Sequence, residues 1–163
     1  MFLELFFQYL VAGLTYGTIY AIVGIGFNII YNTTGIINFA QGEMAMFSTY
    51  IAWTLTTNHG FSYWPAFAVT LLVSFLGGIG IHRAVIRPVE RGPQIRVVII
   101  TIGLLLLLNG LAFWIWSGEV RAVPSPFPAG TVDIGGVAIS WADIGTIIVC
   151  LSSVLVLSAF FRF

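Results

Sequence analysis

The stretch VVIITIGLLLLLNGLAFWIWS, residues 97–117, contains no charged side chain. A helix of about 20 apolar residues crosses the hydrocarbon core of a bilayer, so this run is long enough for one crossing. Four more predominantly apolar runs, with at most one charged residue each, lie at about residues 5–31, 39–57, 64–86 and 141–161. All are far longer than the ~10-residue strands of a membrane barrel. The sequence therefore predicts an all-α integral membrane protein, a polytopic bundle of about five transmembrane helices in a single domain over residues 1–163.

The composition supports this prediction. Apolar residues make up 59% of the chain and charged residues 7%, against roughly 45–50% and 25% in ordinary globular chains. Six Arg, six acidic residues and no Lys cannot cover the surface of a soluble protein of 163 residues. The net charge of zero argues against a nucleic-acid partner, which would need a basic face. The single cysteine, Cys150, excludes an internal disulfide and a cysteine-based metal site.

The arginines predict the orientation. Four of the six, Arg83, Arg87, Arg91 and Arg96, lie between the third and fourth runs. The positive-inside rule places this loop in the cytoplasm. Counting crossings from there, we expect the N-terminus and residues 118–140 outside. Five tryptophans then lie near the outer ends of the spans, as an aromatic belt would place them: Trp53, Trp64, Trp114, Trp116 and Trp141.

The long outer loop, residues 118–140, carries a hairpin signal. Thr131–Ile134 and Val137–Ser140 are two short alternating runs that flank Gly135-Gly136. A Gly-Gly pair between such runs favours a tight β-turn. We expect a small extracytoplasmic hairpin that leans on the membrane domain or on a partner, because an isolated two-stranded hairpin is marginally stable.

Small residues form a stripe along the first span. Gly13, Gly17 and Ala21 recur at a spacing of four, which lets two helices approach closely in lipid. We interpret them as a helix-packing surface, and the stripe implies that this span has neighbours.

The segment from Gly35 to Glu43 brings three polar residues, Asn38, Gln41 and Glu43, to the start of the second span. A charge at the bilayer centre costs roughly 2.5–3.5 kcal/mol on insertion scales, so such residues suggest a transport pathway or its gate. The alternative is helix capping, with Asn38 as N-cap, Gln41 in the capping-box position and Glu43 near the positive end of the helix dipole. In that case the helix starts at Phe39 and Glu43 lies near the membrane interface. The residues alone leave both interpretations open.

Other polar residues give weaker signals. Asn28 and Asn109 are amides in apolar runs, and they either bridge helices or line a passage. His59 and His82 have no acidic cluster or Glu-x-x-His partner, so neither is predicted to be catalytic. The sequence carries no nucleophile elbow, phosphate loop or metal constellation, and we predict no catalytic residue, no metal site and no cofactor.

Specific motifs carry a resemblance to a known family. The order Gly13-Leu-x-x-Gly17-x-x-Tyr20-Ala21, then Gly26-Phe27, then Asn38-Phe-Ala-Gln-Gly-Glu43 resembles the permease subunits of bacterial ABC importers for branched-chain amino acids. Arg87-Pro88, Thr101-Ile102-Gly103 and Gly135-Gly136 fit the same pattern. One departure is Ser48-Thr49, where the family often has Gly-Ala; the difference is interpreted as a small packing change.

The resemblance implies a function and a set of partners. A permease of this kind moves branched-chain or other hydrophobic amino acids inward by alternating access and does no covalent chemistry. Its partners are cytoplasmic ATPase subunits, a periplasmic or extracellular amino-acid-binding protein, and a second, related permease subunit. The implied location is the bacterial inner membrane, with the lipid bilayer around a multi-pass chain. Leucine-like amino acids, urea and short amides stay open as substrates.

The length suggests a part of such a permease. The family continues past a fifth span into the cytoplasmic loop that docks the ATPase, and this sequence stops at Arg162-Phe163. The sequence thus resembles an N-terminal half whose partner is the missing C-terminal half. The alternatives are a truncated or accessory membrane subunit that is stable only in a complex, and, more weakly supported, an ion-coupled carrier, which would need more buried acids than Glu43.

Overall fold

The computed structural model describes residues 2–134 and 137–162. Five α-helices account for most of them: α1 (Phe2–Thr34), α2 (Gln41–Thr57), α3 (Tyr63–Ile81), α4 (Gln94–Trp116) and α5 (Trp141–Arg162). Two short strands, β1 (Thr131–Ile134) and β2 (Val137–Ser140), precede α5. The prediction of an all-α polytopic membrane protein is confirmed.

Within the described residues, four helical stretches are long and apolar enough to cross a membrane: Phe2–Thr34, Tyr63–Ile86, Gln94–Trp116 and Trp141–Ala159. They correspond to the first, third, fourth and fifth predicted spans. The first is longer than predicted, since α1 continues to Thr34 and ends where Gly35 turns the chain with φ of +67°. A residue in the left-handed region is a common helix stop, and Gly adopts it without strain.

The third predicted span is one continuous helix that changes from α- to π-helical hydrogen bonding near its end. After α3 the backbone forms a π-helical turn over His82–Ile86, and Arg87 closes it by donating its amide to the His82 carbonyl at 2.8 Å. The predicted end of this span near residue 86 is therefore correct.

Helix α2 differs most from the expectation. It starts at Gln41, and its N-cap is Ala40, which makes no side-chain capping hydrogen bond. The predicted start at Phe39 with Asn38 as N-cap is wrong. Asn38 Oδ1 instead accepts a hydrogen bond from the Ala40 backbone amide at 3.0 Å and stabilises a turn ahead of the helix. With 17 residues, α2 is about 25 Å long, close to the minimum for a crossing. That the chain crosses five times stays a prediction.

The chain divides into two compact units, one of Met1–Ile29 with Ser125–Phe163 and the other of Ile30–Pro124. The second unit holds α2, α3 and α4. Its core is formed by Ala40, Leu104 and Leu108, with Met44, Phe47, Ile81 and Leu105 against it. These residues share one property: each faces the junction of the three helices.

The first unit contains the hairpin and α5. β1 and β2 pair antiparallel, with Thr131 opposite Ser140 and Ile134 opposite Val137. The predicted strands are correct in both ranges, and the predicted turn Gly135-Gly136 lies outside the described residues. Ahead of the hairpin, the ring of Phe127 lies against the backbone of Gly145, where any Cβ would overlap the ring. Gly145 thus permits this close approach on α5.

Candidate functional site

The site begins with the non-helical segment between α1 and α2. At its start, the Gly35 carbonyl accepts a hydrogen bond from Gln94 Nε2 at 3.5 Å, which places it beside the first residue of α4. At its end, Ala40 is completely buried in the core with Leu104 and Leu108. Residues 36–40 therefore run, without forming a helix, from the beginning of α4 to its middle.

This path places the start of α2 deep in the helical unit. Asn109 lies about 22 Å along α4 from Gln94, at a rise of 1.5 Å per residue, and its Nδ2 donates to Glu43 Oε2 at 3.3 Å. The non-helical segment ahead of α2 therefore places Glu43 beside the middle of α4, and the position of Glu43 relative to the membrane interface stays a prediction.

Glu43 and Asn109 form a polar bridge between α2 and α4. Glu43 is half-buried in the first turn of α2, where the helix dipole favours a carboxylate. Asn109 lies on the exposed side of α4. The sequence flagged both residues for their polarity, and the contact joins positions 66 residues apart. This geometry agrees with a favoured helix-end charge and adds a polar contact between two helices; a part of Glu43 in a pathway or gate stays a prediction.

Asn38 and Gln41 line a cavity of about 440 Å³ between α2 and α3. Its walls are mainly apolar, from side chains such as Met44, Phe47 and Leu108. Small residues on α3, including Gly78, open the space opposite α2, and a Cβ built there meets no atom of the described residues within 4 Å. An apolar chamber with two amides at one end suits a small solute with a polar and an apolar part.

The remaining predicted site residues lie elsewhere. Asn28 is exposed on α1, in the other unit. Gly13, Gly17 and Ala21 are also exposed on α1, and a Cβ added at either glycine would meet no described atom within 4 Å. The two glycines thus leave room for a closely approaching helix, and the role of the stripe in packing stays a prediction about a partner helix.

The predicted cytoplasmic loop presents its arginines to the surroundings. Arg83, Arg87, Arg91 and Arg96 are all exposed. In the same segment, His82 Nε2 lies 3.5 Å from Glu90 Oε2. Among residues 2–134 and 137–162, no three His, Cys, Asp or Glu side chains cluster in a way that could hold a metal ion.

An aromatic cluster joins the far ends of α2 and α4, and the sequence did not single it out as a unit. The rings of Tyr50 and Trp116 stack at 5.0 Å, and Phe47 meets Trp116 edge-on at 5.1 Å. Trp116 Nε1 donates to Thr54 Oγ1 at 2.8 Å. The spacing of Phe47, Tyr50 and Thr54 along one helical face was the available signal.

The loop after α4 folds back onto the same end of α2. Tyr50 donates its hydroxyl hydrogen to the Glu119 carbonyl at 3.0 Å. The Arg121 guanidinium lies 4.2 Å from the centre of the Trp53 ring and 3.2 Å from Glu119 Oε2. Local sequence patterns could not reveal these contacts, because the loop residues have no periodicity and reach a helix about 70 residues earlier.

Comparisons with known proteins agree on one family. Residues 9–163 match the family described as "Branched-chain amino acid transport system / permease component". The chain is 33% identical over 151 residues to the high-affinity branched-chain amino acid transport system permease protein BraD of Pseudomonas aeruginosa, covering 85% of this chain and 49% of BraD. It is 28% identical over 130 residues to the permease protein LivH of Escherichia coli, covering 75% of this chain and 42% of LivH.

The LivH of Salmonella typhimurium is similar at 27% identity over the same length, with the same coverage of both chains. No solved structure matches. The chain spans about half the length, or less, of the curated relatives it matches. The match over nearly the whole chain, together with the apolar helices described above, shows that this protein belongs to the permease-component family of branched-chain amino acid transport systems.

Proposed function

We propose that the chain forms part of the membrane permease of an ATP-driven importer that moves branched-chain or other hydrophobic amino acids into the cell by alternating access. The observation that carries the proposal is the cavity of about 440 Å³ between α2 and α3, with Asn38 and Gln41 at one end of a mainly apolar wall. It supports a passage for a small amphipathic solute. Family membership supports the substrate class, since the relatives are named for branched-chain amino acids.

The cavity suits such a substrate chemically. A branched-chain amino acid has a charged backbone and an aliphatic side chain. Amide groups at one end of the cavity can hydrogen-bond the polar part, while Met44, Phe47 and Leu108 shelter the aliphatic part from water. Weak, multiple contacts of this kind permit both entry and release.

In this proposal the Glu43–Asn109 bridge has a supporting role. Glu43 is directed at α4 and is not part of the cavity wall. The bridge fixes the start of α2, and thereby the position of Gln41, against the middle of α4. The proposed partners are cytoplasmic ATPase subunits, an external amino-acid-binding protein and further permease segments in the bacterial inner membrane.

Uptake by cells tests the proposal. Deletion of the gene should abolish high-affinity uptake of labelled leucine, isoleucine or valine, and the wild-type gene should restore it. Gln41→Leu, which removes the amide at nearly constant size, should lower uptake while the membrane level of the complex holds. Leu106→Met, at a position 66% exposed on α4 and outside the cavity wall, is the control and should leave uptake intact. Unchanged leucine uptake after gene deletion would favour an accessory, non-transporting subunit.

A further inference from the structure

A second cavity lies between the same two helices. It measures about 420 Å³ and runs along the second half of α2 and the first half of α3. Its wall is mainly apolar and includes the hydroxyl-bearing residues Thr49, Thr56, Tyr63 and Thr70. We call it the Thr70 cavity, and the one described above the Gln41 cavity. In the expected orientation, the Thr70 cavity lies toward the outside and the Gln41 cavity toward the cytoplasm.

Two residues line both cavities, Ser48 on α2 and Ser74 on α3. Ser74 donates its hydroxyl hydrogen to Ser48 Oγ at 2.8 Å, and Ser48 donates to the Met44 carbonyl at 2.8 Å. At this separation no molecule fits between the two oxygens. The hydrogen bond therefore separates the two cavities at one point of contact.

The Thr70 hydroxyl points to the kind of molecule that occupies the outer cavity. Thr70 is 8% exposed, and its Oγ1 is buried without a hydrogen-bond partner among the described residues. A buried hydroxyl without a partner costs free energy that a lipid tail cannot recover, because hydrocarbon has no hydrogen-bonding group. A small solute with polar groups can supply that partner once the Thr70 side chain rotates its hydroxyl toward the cavity that the residue lines.

We propose that the Thr70 cavity and the Gln41 cavity are successive chambers of one solute path between α2 and α3, and that the Ser48–Ser74 hydrogen bond is its closed constriction. The inference rests on the proposed transport function and adds the route and the gate. The occupant is the amino acid itself: its polar groups meet Thr70 before the constriction and Asn38 and Gln41 after it.

Paired cysteines test the constriction in cells that carry the complete importer. Ser48→Cys and Ser74→Cys are introduced together in a Cys150→Ala background, since Cys150 is the single native cysteine. Oxidation should link the two helices and reduce leucine uptake to the level of cells without the importer. Reduction with dithiothreitol should restore it, and each single variant should be insensitive to oxidant.

Attaching groups of increasing size at one position distinguishes a gate from a contact between helices that only has to move during transport. Ser48→Cys alone is treated with methyl- and then benzyl-thiosulfonate reagents, and uptake should fall with the size of the attached group. External leucine should slow the reaction. Leu72→Cys, at a position 58% exposed on α3, is the matched control, and its modification should leave uptake unchanged.

The outcomes are distinct. Full uptake by the disulfide-linked pair, or no disulfide after oxidation, would overturn the constriction. Equal effects of small and large groups at Ser48→Cys, or equal effects at Leu72→Cys, would overturn the path between α2 and α3. A lack of leucine uptake by the unmodified importer would instead contradict the proposed function.

Discussion

At the scale of single residues, polarity was readable from the sequence and position relative to the neighbouring helix was not. Asn38, Gln41, Glu43 and Asn109 stand out as polar side chains in apolar surroundings. The contact between Glu43 and Asn109 depends on residues 36–40, which run without a helix to the middle of α4 and bring the start of α2 with them. Local sequence patterns contain no signal for this path, so the contact could not be predicted.

The bridge between Glu43 and Asn109 predicts energetic coupling. Glu43→Ala and Asn109→Ala should each destabilise the unit, and the double variant should cost less than the sum. Coupling across membrane helices averages about 0.6 kcal/mol and reaches about 1.7 kcal/mol. Glu43→Gln keeps an acceptor oxygen and should cost less than ~1 kcal/mol. Unfolding of the purified complex in detergent measures these differences.

Glu4→Gln serves as the control for loss of a carboxylate, because Glu4 is exposed near the start of α1. Strictly additive costs for Glu43→Ala and Asn109→Ala would show that the contact carries no coupling. A loss of uptake in Glu43→Gln with unchanged stability and assembly would assign the charge itself a part in gating.

At the scale of elements, long apolar runs fixed the number and type of helices, and the predicted ends of α3 and α4 agree with the structure to within a few residues. The predicted start of α2 was wrong because two local signals competed. Asn38 has the side chain of an N-cap, yet it satisfies the Ala40 amide in a turn. Sequence patterns also missed Ser48 and Ser74, since hydroxyls are common in apolar helices and their significance here lies in a contact between helices.

The stripe on α1 predicts a partner helix. A side chain at Gly17 meets no described atom within 4 Å, so Gly17→Leu should leave the fold of this chain intact. In the assembled importer it should hinder close helix approach and lower recovery of the complex. Recovery is measured by copurification with the tagged ATPase subunit, and Leu14→Ile is the control on the same helix. Equal recovery of the two variants would mean that this face contacts lipid.

At the scale of the whole molecule, composition and run lengths were sufficient to predict a polytopic helical membrane protein, and the structure and family membership confirm it. The structure adds how the 17-residue helix α2 lies along the longer helix α4. The Gly35 carbonyl lies beside the start of α4, and Thr54 contacts Trp116 at its end. The extended residues 36–40 and α2 together therefore cover the length of α4.

This arrangement predicts sidedness. With the arginine-rich loop in the cytoplasm, a cysteine at Ser125 should react with a membrane-impermeant reagent on intact cells, while one at Gln94 should react only after permeabilisation. Both are made in the Cys150→Ala background. Reaction of position 94 from outside with position 125 protected would reverse the orientation.

The most direct measurement is uptake into proteoliposomes that contain the complete purified importer, with the amino-acid-binding protein outside. We predict that enclosed ATP drives accumulation of labelled leucine, that a non-hydrolysable ATP analogue does not, and that a protonophore leaves the rate unchanged. Leucine accumulation that needs no ATP and collapses with the protonophore would contradict an ATP-driven permease and identify an ion-coupled carrier.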